Sequence, residues 1–332
     1  MDDLLTDTLQ QLLKGQCTLQ LVRDVEAGKS PAAFWAQLEE SGFADALVPE
    51  ALGGAGLTLA TVFPLLELCG SFAVPVPLAH TMLARALLAD ADVAPPAGSI
   101  ALAPVAARDG AVLRCPLVAF GRVADWVLAR VDGSTVLLPV SQARTTPGVF
   151  PLDATLAWDE ADFAQAQRAP GSHDLETLSA CCAAAQLSGA LMSVFARTLQ
   201  YANERQQFGR AIGKFQAIQH QISVISEHVF AARMAAQIGC HSATHVPQRL
   251  RVALAKARTS EAAVEVAALS HSIHGAIGFT AEFDLQLYTR RLHAWRQAAG
   301  SESFWHTVLG EELVDRHEGL AIDLIRTTTD IH

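Results

Sequence analysis

The second half of this chain is a succession of long alanine-rich stretches in which apolar residues recur at helical spacing, and that pattern leaves few folds open. The spacing predicts helices over Leu175–Tyr201 and Gln216–Thr244, and a third opened by Pro247 that runs from Arg249 to His271. A shorter fourth covers Ala281–Gln297 and a fifth Glu302–Thr327. Aromatic residues make up only 6% of the chain, so helices packing on small side chains are favoured. Long helices joined by short loops form an antiparallel bundle.

The first half differs. Leu4, Leu5, Leu9, Leu12 and Leu13 keep helical spacing, and Ser30 with Pro31 opens a second helix towards Ser41. The turn Leu47–Leu57, with Gly53, Gly54 and Gly56, introduces a helix over Leu59–Gly70, and Leu78–Leu88 gives another. That turn lacks the lysine of a P-loop and no strand precedes it, so it reads as structural. Short β-rich runs follow: Ile100–Ala103, Trp126–Ala129 and Val136–Val140. Asp109-Gly110 and Asp132-Gly133 punctuate them as hairpin signals. A small antiparallel β domain of about six or seven strands is expected. The helical patterns do not alternate with these strands, which disfavours a parallel nucleotide-binding sheet. The expected organisation is a helical domain over 1–97, a β domain over 98–170 and a helical bundle over 171–332.

Charge and cysteine content narrow the function. A net charge of −10 argues against nucleic acid as a partner, because neutralising phosphates needs surplus cations. The apolar runs are interrupted before they reach spanning length, and the acidic Met1-Asp2-Asp3 start lacks a signal peptide's basic region. Six cysteines in a chain of 332 residues make no disulfide framework, so reduced thiols in a cytoplasmic protein are expected.

Local cations remain. The segment Arg205–His220 sits between the first two long helices and brings together Arg205, Phe208, Gly209 and, at a helix start, Gln216. A guanidinium can fork onto phosphate oxygens, a helix N-terminus adds free N–H groups, and Phe208 offers a face to a ring. That kit suits an anionic, ring-bearing cofactor; a solvated helix face is the other reading of the same cluster, and of Arg290, Arg291, His293 and Arg296. A second segment, Ser270–Glu282, carries Gly275 and Gly278, which stop one helix and permit close backbone approach, while Thr280 is placed to cap the next. His271 and His274 have no third ligand, so they read as a satisfied pair and no metal site is expected.

Both segments resemble signatures of the acyl-CoA dehydrogenase flavoproteins. Arg205–His220 is similar to the RxQFGxxIxxFQxxQH element, and Ser272–Glu282 to QxxGGxGFTxE; Pro49–Gly56 resembles PExxGGxG. Helical domain, β domain and bundle are also that family's architecture. The resemblance implies FAD as cofactor, an acyl-CoA thioester as substrate and an electron-transfer flavoprotein as acceptor. It implies α,β-desaturation, with removal of an α proton and transfer of a β hydride. By the same resemblance Arg205, Phe208, Gln216, Ser272, Gly275 and Ala276 are the cofactor contacts, reaching FAD across a subunit interface. Ser272 replaces the usual glutamine and Ala276 the second glycine.

The departures are as informative. Aligned from Phe279, the family's glutamate base falls on Ala299, followed by Gly300-Ser301 where the family has Gly-Thr. The base's minority location, on the helix before the arginine motif, falls on Ser179. Neither alanine nor serine can act as a carboxylate base. Glu176 and Glu302 are the fallback carboxylates. The family's TEPxxGSD loop has no counterpart in Leu102–Asp109, which leaves the flavin-ring donors missing. Together these imply the short, base-less subunit of a heteromeric α2β2 dehydrogenase of sterol or other bulky acyl-CoA degradation, paired with a base-bearing sibling. The alternatives are a homo-oligomeric dehydrogenase with an unconventional base, and a catalytically dead assembly scaffold.

Overall fold

The computed structural model describes residues 2–164, 166–170 and 173–330. The chain divides into two compact units, one of Met1–Leu65, Val74–Cys182 and Ser242–Pro247, the other of Leu66–Ala73, Ala183–His241 and Gln248–His332.

The first unit opens with α1 (Asp2–Gln16), α2 (Leu19–Glu26) and α3 (Ala32–Glu40), then most of α4 (Leu59–Ser71) and all of α5 (Leu78–Asp90). The apolar periodicity misses α2, whose start is nonetheless written in Thr18: its Oγ1 accepts from the Leu21 amide at 3.2 Å. The glycine-rich turn is self-contained. Five successive amides, Gly53 to Leu57, are bonded to carbonyls between Asp45 and Glu50, so none is left for a phosphate. A Cβ on Gly54 would lie 2.1 Å from the Val48 carbonyl oxygen, which explains glycine there.

Two four-stranded sheets follow. One has the order β1 (Ile100–Ala103), β4 (Trp126–Val131), β5 (Ser134–Pro139), β8 (Gln167–Ala169). The other runs β2 (Ala107–Asp109), β3 (Val112–Val118), β7 (Ala154–Asp159), β6 (Arg144–Pro147). Leu113, Cys115, Val127, Val136, Leu138, Leu156 and Trp158 form the buried core of these strands. Asp132 and Gly133 both have positive φ and join β4 to β5 with Val131 opposite Ser134, as the Asx-Gly signal requires. Pairing is antiparallel with one exception, β1 on β4. The chain leaves β1 for the other sheet and returns in the same direction, a crossover that local sequence does not reveal.

The second unit is the helical bundle: α7 (Leu175–Glu204, from Ala183 onward), α8 (Gln216–Gly239), α9 (Arg249–His274), α10 (Leu285–Gln297), α11 (Glu302–Glu311) and α12 (Ala321–Thr329). Here α6 (Glu160–Ala164) is a single short turn of the first unit. The expected fifth helix is broken: after α11 the chain passes through a wider turn, Glu312–Arg316, and restarts only at Ala321, beyond Gly319. Likewise α8 stops at Gly239, short of Thr244. All six cysteines are buried and none is in a disulfide. The most apolar window of α7 has the length of a membrane span but is 83% buried, which makes it a core helix.

Within this unit α4 and α7 touch backbone to backbone. A Cβ on Gly70 or on Gly189 would lie 1.9 Å from the carbonyl oxygen of Gln186 or Glu67 respectively. The Glu67 carboxylate then accepts from Ser188 Oγ at 2.7 Å and Arg233 Nε at 2.9 Å, tying α4 to α7 and α8. Gly189→Ala is therefore expected to lower the unfolding midpoint, by overpacking worth roughly 1–3 kcal/mol. An unchanged denaturation midpoint measured by circular dichroism would refute this crossing.

Candidate functional site

The arginine motif folds as a small hairpin between α7 and α8. Strands β9 (Gln206–Gln207) and β10 (Arg210–Ala211) pair antiparallel, and the loop residues Phe208 and Gly209 both have positive φ. The Arg205 amide caps back onto Tyr201 O at 2.8 Å, and Arg205 O accepts from Ile212 N at 2.8 Å. The hairpin holds the Phe208 side chain 91% exposed, an unusual place for a phenylalanine without a covering partner. Arg210 stacks on the Phe215 ring at 4.2 Å. Arg205 is exposed and has no carboxylate partner among the described residues. Gln216 is the exposed first residue of α8.

The glycine segment supplies a second wall. Gly275, φ +65°, stops α9, and a tight 3-10 turn, Gly275–Phe279, follows. Gly278 is where backbone approach is closest: a Cβ there would meet His274 Cβ at 3.0 Å and His271 Nδ1 at 3.1 Å. Thr280 closes this turn by donating to Ile277 O at 2.9 Å; Asp284, not Thr280, occupies the cap position of α10. Gly275 and Ala276 are exposed, as is Ser272, whose Oγ accepts from Gln221 Nε2 at 3.4 Å.

These two motifs, some sixty residues apart in sequence, line one cavity of about 620 Å³. Arg205, Phe208, Ser272, Gly275 and Ala276 all border it, together with Tyr201 and His274, which the sequence did not single out for it. Gln216 lies beside it, next to the lining residue Phe215. Tyr201 stacks on the His274 ring at 4.3 Å. The histidine pair is only half satisfied. His274 Nδ1 is 2.7 Å from Ser270 O and His271 Nε2 is 2.9 Å from Thr289 Oγ1, yet His274 Nε2 and His271 Nδ1 are buried without a partner. Burial lowers the pKa of both rings, favouring neutral imidazoles. No group of three or more metal-ligating side chains with suitable geometry occurs among the described residues. An unpaired guanidinium, an exposed ring and an open glycine corner fit an anionic nucleotide-type cofactor.

The remaining candidates lie elsewhere. Ser179 and Glu176 are on the part of α7 that belongs to the first unit; Ser179 is buried, and its Oγ has no partner among the described residues. Ala299 lies in the turn between α10 and α11 of the second unit, with φ +52° beside Gly300 at +92°. Glu302 begins α11, and both its oxygens are taken by the Arg296 guanidinium, Nε contributing a 2.9 Å bond. Those bonds hold its pKa below the ordinary glutamate value.

Sequence reading also missed Lys256, on α9, which is fully buried. Its Nζ lies 2.8 Å from Arg296 O, 2.8 Å from Gly300 O and 3.1 Å from Ser260 Oγ. Trp305, fully buried, donates Nε1–H to Ala299 O at 2.9 Å.

Residues 2–91 match the acyl-CoA dehydrogenase N-terminal domain and residues 177–313 its C-terminal domain. The chain is 31% identical over 312 residues to the acyl-CoA dehydrogenase IpdE2 of Mycolicibacterium smegmatis, covering 90% of this chain and 94% of that protein. In fold it is similar to a chain of the ChsE4-ChsE5 complex from Mycobacterium tuberculosis, with TM-score 0.83 and 22% identity over 95% of this chain and 98% of that one. A chain of the Tcur3481-Tcur3483 steroid ACAD variant superposes with TM-score 0.79, 23% identity and coverage of 93% and 96%.

The fold and the paired motifs define a flavoprotein oxidoreductase. More particularly, the chain belongs to the acyl-CoA dehydrogenase family, whose members bind FAD and act on CH–CH groups.

Lys256 yields a pH prediction. Burial is the main cause pulling its pKa down to about 7, with Glu302 opposing and Arg296 assisting. The folded pKa is thus below the unfolded one, so between about pH 7 and 10 the unfolded chain binds the extra proton and stability rises with pH, by at most about 1.4 kcal/mol per unit. Chemical denaturation of wild type and Lys256→Met across that range should show the steeper rise in wild type. Parallel profiles would mean that the lysine titrates normally.

Proposed function

We propose that this chain is the subunit without a catalytic base in a heteromeric acyl-CoA dehydrogenase, and that it supplies the diphosphate wall of an FAD site completed by a sibling. The observation that carries this reading is the state of residue 299. The turn expected to hold the base is intact and tightly bonded, but it presents a methyl group. The neighbouring carboxylate is no substitute, because Glu302 is spent on Arg296 and its pKa is pulled away from the range a general base needs. The names of the relatives agree: one similar structure is a two-protein complex and another is a two-protein steroid enzyme.

In this reading Arg205 forks onto the cofactor's diphosphate, with Gln216 at the start of α8 adding a polar contact and Phe208 covering a ring. Ser272, Gly275 and Ala276 form the opposite edge, where glycine allows backbone amides close to the ligand. Bound FAD would accept the hydride from the substrate's β carbon. The α proton would pass to a carboxylate of the sibling, since position 299 offers none. The substrate is a bulky, sterol-derived or related acyl-CoA thioester, the acceptor an electron-transfer flavoprotein. Exposed Phe208, Phe230, Met234 and Ile277 in the second unit supply apolar area for the subunit interface. A standard association buries about 1,600 Å², and the interface is expected to exceed that.

Two measurements test the reading. Arg205→Ala in the assembled protein should weaken FAD binding at least tenfold and leave circular dichroism unchanged, because an exposed guanidinium contributes to a charge-assisted bond and little to the core. Undiminished FAD affinity would remove Arg205 from the site. The isolated chain, saturated with FAD, should show no bleaching by acyl-CoA thioesters; a base is worth roughly 10²–10⁴ in rate. Bleaching that survives Ala299→Gln and disappears in Glu302→Gln or Glu176→Gln would assign the base to this chain and overturn the proposal.

A further inference from the structure

The turn between α10 and α11 is more tightly determined than an alanine at its apex requires. Ala299 and Gly300 both have positive φ, and for alanine that conformation carries a cost. Three consecutive features hold it there. Lys256 Nζ reaches across from α9 to the carbonyls of Arg296 and Gly300, each at 2.8 Å. Trp305 donates to the carbonyl of Ala299 at 2.9 Å. The Arg296 side chain closes over the turn onto Glu302. Gly300 is obligatory in this arrangement, because a Cβ would lie 2.6 Å from Phe304 Cδ1 and 2.9 Å from Trp305 Nε1. Every carbonyl that α10 and the turn leave open at positions 296, 299 and 300 is thus answered by a side chain.

We propose that Lys256 is the positioning residue of this turn: its buried amine, seated on the carbonyls of Arg296 and Gly300, fixes the direction in which residue 299 is presented. The donor set is suited to that task in either protonation state. As an ammonium, Nζ donates to both carbonyls and to Ser260 Oγ. As an amine it keeps two N–H groups for the carbonyls, and its lone pair accepts the Ser260 hydroxyl proton. The charged groups acting on it from neighbouring helices are Arg296 of α10 and Glu302 of α11, one disfavouring and one favouring the ammonium. The clamp therefore persists through the pH range in which the lysine changes charge. It also accounts for the turn surviving without a carboxylate at its apex: the geometry is set from α9, not by residue 299. Only the statement that residue 299 faces ligand rests on the proposed function; the clamp itself does not.

The test uses the full chain without flavin or substrate, so it is independent of that reading. Ala299→Cys places a thiol at the apex, and the six native cysteines are buried. Its rate of reaction with a disulfide reagent, normalised to thiolate fraction, reports how the apex is held. Combining Ala299→Cys with Lys256→Met should raise that rate roughly 10- to 100-fold, the effect of losing two hydrogen bonds to a charged or strongly polar donor. Hydrogen exchange over residues 297–305 should rise with it, while α8 and the first half of α9 stay protected. In the Ala299→Cys single variant the normalised rate should be flat from pH 6 to 8.5. If Lys256→Met does not fold, Lys256→Gln gives the same readout with a shorter donor, and the same local rise is expected. An unchanged labelling rate, a strong pH dependence centred on the lysine, or loss of protection spread through α8, α9 and α11 would each overturn the proposal.

Discussion

Close packing of α9 is the constraint on which the functional half of the molecule depends. Its buried face is built from Val252, Ala253, Ala255, Ala257, Ala262, Ala263 and Ala267, and it packs against α8, α10 and α11. A Cβ on Gly239 of α8 would lie 2.5 Å from Ala255 Cβ, so the two helices meet with almost no side chain between them. Such proximity leaves little freedom for either helix to slide. Both chemical features hang from this one element. Its end, Ser272–His274, and the turn from Gly275 wall the cavity that Arg205 also borders, and its first half carries Lys256 beneath the Ala299 turn. Along the helix the two are about 24 Å apart, from 16 residues at 1.5 Å each.

What was legible in the sequence follows from how local the governing interaction is. The Asx-Gly pairs placed two hairpins correctly because a left-handed glycine in the turn, Gly110 or Gly133, is a local demand. The long helices were readable because their apolar spacing repeats many times; α9 begins at Arg249 as expected. The fifth helix was not, because the apolar residues of 302–327 keep their spacing through the break and only Gly319 marks it. The parallel β1–β4 pair was invisible, since strand direction there is decided by a crossover to another sheet.

The site divides in the same way. Arg205 and Gly275 belong to motifs whose spacing is a local property, so their convergence on one cavity followed from resemblance before any coordinates. Tyr201 and Lys256 carried no such mark. A lysine in an alanine-rich helix reads as surface, and only the register of α9 against α10 and α11 shows that position 256 faces inward. The histidines at 271 and 274 looked self-sufficient from their spacing, yet each keeps one buried ring nitrogen without a partner.

On the proposed function, a diphosphate wall on this chain and a flavin-ring loop on its sibling have a stoichiometric consequence. In a pair with a sibling that carries both halves, the site combining the sibling's loop with this chain's Arg205 would be complete, and the reciprocal site would lack its loop. Flavin content of the purified assembly, measured by absorbance after denaturation against chain concentration from amino-acid analysis, tests this directly. One FAD for each pair of unlike chains is expected. One FAD for every chain, or an equally flavinylated assembly of this chain alone, would contradict the division of the site between two subunits.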